Sequence, residues 1–290
     1  MSVGNCTIGE STWGGLWEDM EITKTAPVGV FDSGVGGLTV AREIMRQLPD
    51  ENIVYFGDTA RVPYGSKSKE NIIRFSRQII RFLKTKNVKA IVIACNTASA
   101  LALDVVKNEF DIPIIGVIVP GARAAVRETR NKKIGVVGTE GTIHSEMYTK
   151  VIREMEPEAS VLGRPCPLFV PLVEEGFAKH HITDEVIEIY LEEMKHSDID
   201  TMILGCTHYP LLRSKIMAYF GEKVHIVNPA YETALDLKSV LESENAVNDS
   251  GNLNKYEFYV SDAAEKFKQF ANSILPYNVE TITQINIEEY

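Results

Sequence analysis

The 290-residue chain has only four cysteines, and none sits in a C-x-x-C pair or at a Cys/His spacing that would hold zinc. At positions 6, 95, 166 and 206 they are too scattered for a disulfide framework, and they point to free thiols in a reducing cytoplasm. Long apolar runs are missing as well. The longest, Ile112 to Val119, is broken by Pro113 and Gly116 and falls far short of the ~18 residues of a membrane helix, so no membrane association is expected. The first residues carry Glu10, Glu18 and Asp19 in place of a basic start and an apolar core, which argues against a secretory signal. Positive charge is scarce: 30 Lys+Arg face 40 Asp+Glu, and a net charge of −10 repels phosphate backbones, so no nucleic-acid partner is expected. The densest basic stretch, Lys84 to Lys89, holds three lysines in a polar turn and reads as solvated surface. No G-x-x-x-x-G-K-[ST] phosphate loop occurs.

Hydrophobic residues make up 44% of the chain, enough to build a core without metals or disulfides, and the length suggests about two domains. Residues 1–26 read as an extension outside the fold. From Pro27 onward short apolar runs alternate with helical patterns. Strands are expected at Val28–Phe31, Ile53–Phe56, Ala90–Ala94 and Ile114–Val119, then at Ile134–Val137, Ser160–Leu162, Thr201–Leu204 and Val224–Val227, with Tyr256–Val260 added late. Leu38, Ala41, Met45 and Leu48 share one helical face, as do Ile72, Phe75, Ile79 and Phe82. Val186, Ile187, Tyr190, Leu191 and Met194 form a third such face, with Thr183 as the expected N-cap and Asp184 and Glu185 in the first turn. Continuous apolar strands alternating with helices imply α/β architecture with mainly parallel, doubly wound sheets.

The two strand sets resemble each other. Val28-Gly-Val-Phe-Asp-Ser-Gly aligns with Ile134-Gly-Val-Val-Gly-Thr-Glu-Gly, and Ala90-Ile-Val-Ile-Ala-Cys-Asn-Thr aligns with Thr201-Met-Ile-Leu-Gly-Cys-Thr-His. Two matches in the same order imply two pseudo-symmetric α/β domains of four strands each, facing one another across a cleft. The first boundary is expected near Pro120-Gly121 and a return crossing near Asn228-Pro229. The first domain is then 27–119 plus 228–290 and the second 120–227.

Ligands of open α/β sheets bind beyond the carboxyl ends of the strands. Cys95 and Cys206 follow equivalent strands, so each half presents one thiol to the cleft. Cys166, between Pro165 and Pro167, reads as packing, and Cys6 as incidental. Two thiols on opposite faces of one ligand suit stereoinversion at carbon, one removing a proton while the other returns one. A free thiol is only a few per cent ionised at neutral pH and needs help. His208 stands two residues after Cys206, and Asp32 ends the first strand, either handling protons or anchoring its loop. Ser33-Gly-Val-Gly-Gly-Leu38 links strand to helix and could gather N–H groups around an anion. It is not a dinucleotide fingerprint, because Thr39 stands where the third glycine would be. Asp58 reads as part of a second polar loop rather than as a strand-end acid. Ser33, Tyr64, the Gly65 amide, Asn96, Thr97, Thr139 and Thr207 offer donors for a small dicarboxylic zwitterion, and Asp32 or Glu174 could meet its ammonium.

Phe31-Asp-Ser-Gly-Val-Gly-Gly-Leu38, Gly57-Asp-Thr-Ala-Arg-Val-Pro-Tyr-Gly65, Ala94-Cys-Asn-Thr-Ala-Ser99 and Leu204-Gly-Cys-Thr-His-Tyr-Pro-Leu-Leu212 resemble the corresponding blocks of glutamate racemases, in the aspartate/glutamate racemase superfamily. The resemblance runs from about residue 27 to 260. It implies two α/β domains with the active site between them, and interconversion of L- and D-glutamate for peptidoglycan without pyridoxal phosphate or metal. By motif it implies Cys95 and Cys206 as the two acid/base residues, the first acting on D-glutamate and the second on L-glutamate. Asp32 and His208 would assist, together with a glutamate of Leu172-Val-Glu-Glu-Gly176, assigned to Glu174 over Glu175. Ser33, Tyr64, Gly65, Asn96, Thr97 and Thr207 match substrate-binding positions. A cytoplasmic homodimer is implied, and the role of residues 1–26 stays open. The competing readings are aspartate racemisation, a Cys206/His208 hydrolase, and a two-lobed amino-acid-binding protein without catalysis.

Overall fold

The computed structural model describes residues 24–251 and 255–290. Most of the expected extension, including Cys6, lies outside them. Its last residues do join the fold: Lys24 pairs with Asp249 at 2.6 Å.

Among the described residues ten strands form two sheets. In chain order they are β1 (Val28–Asp32), β2 (Ile53–Gly57), β3 (Ala90–Ile93), β4 (Ile114–Gly116), β5 (Lys133–Gly138), β6 (Ser160–Pro165), β7 (Thr201–Gly205), β8 (His225–Val227), β9 (Tyr256–Val260) and β10 (Thr283–Gln284). The first sheet runs β10-β9-β2-β1-β3-β4 and the second β6-β5-β7-β8. Every pairing is parallel. The order 2-1-3-4 of the first sheet recurs as 6-5-7-8 in the second, which is the duplication the sequence blocks imply. The first sheet is wider than the expected four strands, because β9 adds beside β2 and β10 beside β9. The β10 segment is two exposed polar residues, too short to leave an apolar pattern.

Strands β1, β2, β3 and β7 are buried along their whole length, as parallel strands covered on both faces must be. The helix Lys69–Thr85 starts at Ser68, whose hydroxyl accepts from the Asn71 N–H, and turns Ile72, Phe75, Ile79 and Phe82 inward. The helix's Phe82 packs against Phe56 of β2, ring centroids 5.4 Å apart and planes tilted by 54°. Fully burying one such aromatic contributes about 1.5–3 kcal/mol.

Several local expectations change. The strand expected over Ile114–Val119 stops at Gly116; Val117 caps a helix, Ile118–Glu128, that carries the chain to the second sheet. Pro120 is tolerated in its first turn because the N–H it lacks would have had no intrahelical partner. The expected boundary at Pro120-Gly121 therefore falls inside that helix. Gly121 packs against the return crossing: a Cβ there would lie 3.0 Å from Pro229 Cγ. The third helix begins at His181, capped by His180, and Thr183 sits inside its first turn, donating its hydroxyl to Phe177 O at 2.7 Å. Lys89 is not solvated. It is buried, paired with Glu51 at 2.5 Å, and donates to Lys24 O and Ala246 O. Asp58 directly follows β2, so it is a strand-end acid after all. It is fully buried and accepts from Tyr64, Arg61 and Ser261, which leaves it as an anchor for the loop. Among the described residues no helix is long and apolar enough to cross a membrane.

Candidate active site

The carboxyl ends of the two sheets face each other across a cavity of about 400 Å³. Ser33, Tyr64, Gly65, Cys95, Asn96 and Thr97 line it from the first half; Thr139, Glu174, Cys206, Thr207 and His208 line it from the second. Thus all the expected site residues but one form its wall. Asp32 lies behind the wall, fully buried. Among the described residues no lysine or arginine lines the cavity.

On the first side, Cys95 caps the short helix Asn96–Leu101 just past β3. Burial, reinforced by the charge of Asp32, pushes its thiol up to about 12, against the pull of hydrogen bonds from Ala98 N–H and Ser33. This sulfur is held in the protonated form.

On the second side, Cys206 directly follows β7. His208 Nδ1 lies 3.9 Å from the Cys206 sulfur, and Nε2 lies 2.9 Å from Glu174 Oε1. Burial opposes a charged imidazole, yet the bonds to Cys206 and Glu174 outweigh it and raise His208 to about 10. The same bond to His208 draws the Glu174 carboxyl below its ordinary value. An imidazolium beside Cys206 is the counter-ion a thiolate needs. Glu175 also touches the cavity, but its carboxylate is largely exposed and pairs with Lys266 at 3.1 Å, so the hydrogen-bond partners separate the two adjacent glutamates.

Asp32 explains the glycine-rich loop. Its carboxylate accepts the Gly34 N–H at 3.0 Å and the N–H groups of Ser33 and Gly37. The loop's donors therefore converge on the protein's own carboxylate rather than on an external anion. Burial pushes this carboxyl above its usual value, offset by His208 and by those N–H groups. Across the cleft, Thr207 donates to its other oxygen at 3.4 Å. Gly36 is needed for close approach, since a Cβ would fall 2.4 Å from His208 Nδ1 and from Thr207 Oγ1. Thr39, which spoils the dinucleotide pattern, donates to Gly36 O and to Thr207 O, both at 2.9 Å, and so joins the two halves.

Small hydroxyls meet at the opposite end. Thr97 and Thr139 lie 2.9 Å apart, and Thr142 is 3.0 Å from Thr139 and 3.3 Å from Thr97. Thr139 also caps the helix Glu140–His144. Gly65 presses on it: a Cβ at 65 would lie 2.6 Å from Thr139 Cβ. The hydroxyl of Tyr64 is given to Asp58, which leaves its ring and backbone to the wall. Sequence reasoning missed the apolar wall of Val62, Pro63, Pro167, Val170 and Pro171, and also Glu140. It missed Tyr148 too, whose hydroxyl donates to Asn96 Oδ1 at 2.7 Å. Helical periodicity marks Tyr148 only as a core residue, so its polar end left no signal. Cys166 is buried and its carbonyl accepts from Tyr209, in keeping with packing.

Two sulfurs, one imidazole–carboxylate pair and a wall of neutral donors can exchange a proton with a small anionic ligand from either side. The comparisons with known proteins agree in direction. The profile of the Asp/Glu/hydantoin racemase family matches residues 29–234. The chain is 44% identical over 261 residues to the glutamate racemase of Geobacter metallireducens, covering 90% of this chain and 97% of that one. Among solved structures it is similar to a glutamate racemase isoform of Bacillus anthracis, with 42% identity, a TM-score of 0.87 and coverage of 90% and 98%. It is also similar to the glutamate racemase of Francisella tularensis solved in complex with D-glutamate, at 38% identity, a TM-score of 0.86 and coverage of 92% and 100%.

Proposed function

The chain belongs to the Asp/Glu/hydantoin racemase family, and from that premise we propose that it interconverts L- and D-glutamate by passing the α-proton between two thiols, without pyridoxal phosphate or metal. The observation that carries this reading is the pair of strand-end sulfurs, Cys95 and Cys206, lining one cavity from opposite halves. With L-glutamate bound, the Cys206 thiolate, held beside the His208 imidazolium, removes the α-proton. The Cys95 thiol, kept protonated by burial, returns a proton to the other face of the carbon. Turnover leaves Cys95 as thiolate and Cys206 as thiol, the form that accepts D-glutamate, and in that direction the roles exchange. Asp32 is the carboxylate that biases Cys95, and Glu174 steadies the imidazolium.

A Cα–H beside an ionised carboxylate is a weak acid, so charge that develops on that carboxylate has to be stabilised. Ser33, Gly65 N–H, Asn96, Thr97, Thr139 and Thr207 are the donors assigned to the substrate's carboxylates. Closure of the halves over the ligand would exclude water, and opening would release product. On this reading residues 27–119 with 228–290 form one domain and 120–227 the other. The enzyme works in the cytoplasm as a homodimer and supplies D-glutamate for peptidoglycan.

The test is circular dichroism of the purified protein with each glutamate enantiomer in deuterated water, no cofactor added, and aspartate alongside. Loss of optical activity with deuterium at Cα of glutamate supports the proposal. Faster inversion of aspartate would reassign the substrate. Binding without any optical change would make this a binding protein, and an acyl adduct on Cys206 formed from a small amide would make it a hydrolase.

A further inference from the structure

We propose that Tyr148 is a positioning residue: reaching from the second half, its hydroxyl turns the Asn96 side-chain amide so that the NH2 end faces the cavity. This inference rests on the glutamate reading above. Tyr148 stands in the second turn-forming helix after β5, Met147–Met155, and is buried; Asn96 belongs to the first half, next to Cys95. The phenol donates to Asn96 Oδ1 at 2.7 Å. A carboxamide has one accepting end and one donating end, so fixing the oxygen fixes the nitrogen. Turning the amide over would take from the phenol the one protein acceptor it has among the described residues and leave a buried donor unpaired. Burial also holds the phenol far from ionisation, so it stays a donor at every working pH.

The consequence follows from the make-up of the cavity. Among the described residues no lysine or arginine lines it, and the one charged donor, the His208 imidazolium, is engaged by Cys206 and Glu174, so an anion relies chiefly on neutral donors. An Asn96 oxygen facing a carboxylate would repel it; an NH2 attracts it. Tyr148 therefore sets the sign of this contact, and since phenol and amide come from opposite halves, it does so only when the halves are in register.

Calorimetric titration with racemic glutamate tests this, because turnover leaves that ligand's composition unchanged. Tyr148→Phe is expected to weaken affinity about tenfold, and Asn96→Ala by at least as much. In the Asn96→Ala background, Tyr148→Phe should cost less than about twofold more, since the amide it orients is gone. Unchanged affinity in Tyr148→Phe, or an equal loss in both backgrounds, overturns the proposal; the latter would mean that the phenol only packs. If Tyr148→Phe fails to fold, Asn96→Asp against Asn96→Ala decides. Aspartate keeps the bond to Tyr148 but puts an oxygen where the NH2 was, so it must bind glutamate worse than alanine, and equal or better binding overturns the idea. A parent protein that binds glutamate but does not invert it removes the racemase reading and leaves the affinity test standing. A parent that does not bind removes both.

Discussion

On the Cys95 side of the cleft the sulfur meets a serine hydroxyl, a backbone N–H and the field of a buried aspartate; on the Cys206 side it meets an imidazole backed by a glutamate. The backbones are equivalent: β3 and β7 hold the same place in the 2-1-3-4 and 6-5-7-8 orders. The chemistry around them is not. A repeated fold delivers two groups to opposite faces of a ligand, while the residues just after each strand decide how each sulfur loses or keeps its proton. Enantiomers have equal free energy in water, so kcat/KM must be the same in both directions however unequal the two sides are. The asymmetry can surface only in partial reactions.

The largest effect should come from removing either sulfur. Cys95→Ala and Cys206→Ala are each expected to lower inversion by at least about a thousandfold. Solvent exchange at Cα should survive from one enantiomer only, L-glutamate with Cys206 intact and D-glutamate with Cys95 intact. Full racemisation by either variant would end the two-thiol account. Next, the helpers should separate the sides. His208→Asn is expected to slow deuterium exchange from L-glutamate by about a hundredfold and from D-glutamate by less than about tenfold, with Asp32→Asn showing the reverse. Equal slowing of both would mean that the helpers serve the cleft as a whole. A smaller effect is expected where the halves touch. Gly36→Ala places a methyl 2.4 Å from His208 Nδ1, so the halves must part and KM for glutamate should rise about tenfold. An unchanged KM would show that the loop yields freely.

The smallest effect concerns pH and stability. His208 lies at about 10 in the folded protein against 6.5 for an ordinary histidine. A raised value means that the folded state holds the proton more tightly. The stability this adds is therefore complete below pH 6.5 and is lost as pH climbs through about 10. Glu174 is shifted down, so its share is present above its ordinary 4.5 and is lost as pH falls through its lower folded value. Melting temperature should decline across the alkaline window in the parent and less so in His208→Asn; identical slopes would show that the imidazole is not held charged.

Much of the architecture could be read from the chain. Nine of the ten strands among the described residues lie where the apolar runs place them, because strands buried on both faces must be apolar throughout. The strand ends carrying Asp32, Cys95 and Cys206 follow from the same runs. Where the reading failed, long-range partners had overruled local pattern. Lys89 looks like a solvated lysine until Glu51 and two carbonyls from distant segments close around it. Thr183 has the chemistry of an N-cap, but His180 takes the place and Thr183 turns to Phe177. The glycine loop looks like an anion cradle, and it is one, though the anion is Asp32.

From the sequence alone came the duplicated α/β halves, the two thiols at matching strand ends, and the acids and hydroxyls beside them, since strand periodicity and motif spacing are local properties of the chain. Only the tertiary structure showed how Glu174, already preferred to Glu175 by resemblance, reaches His208, that Asp32 sits behind the cavity wall, and that Tyr148 grips Asn96 across the halves. Those choices rest on hydrogen bonds of a few ångströms between residues far apart in the chain, and no local pattern carries that distance.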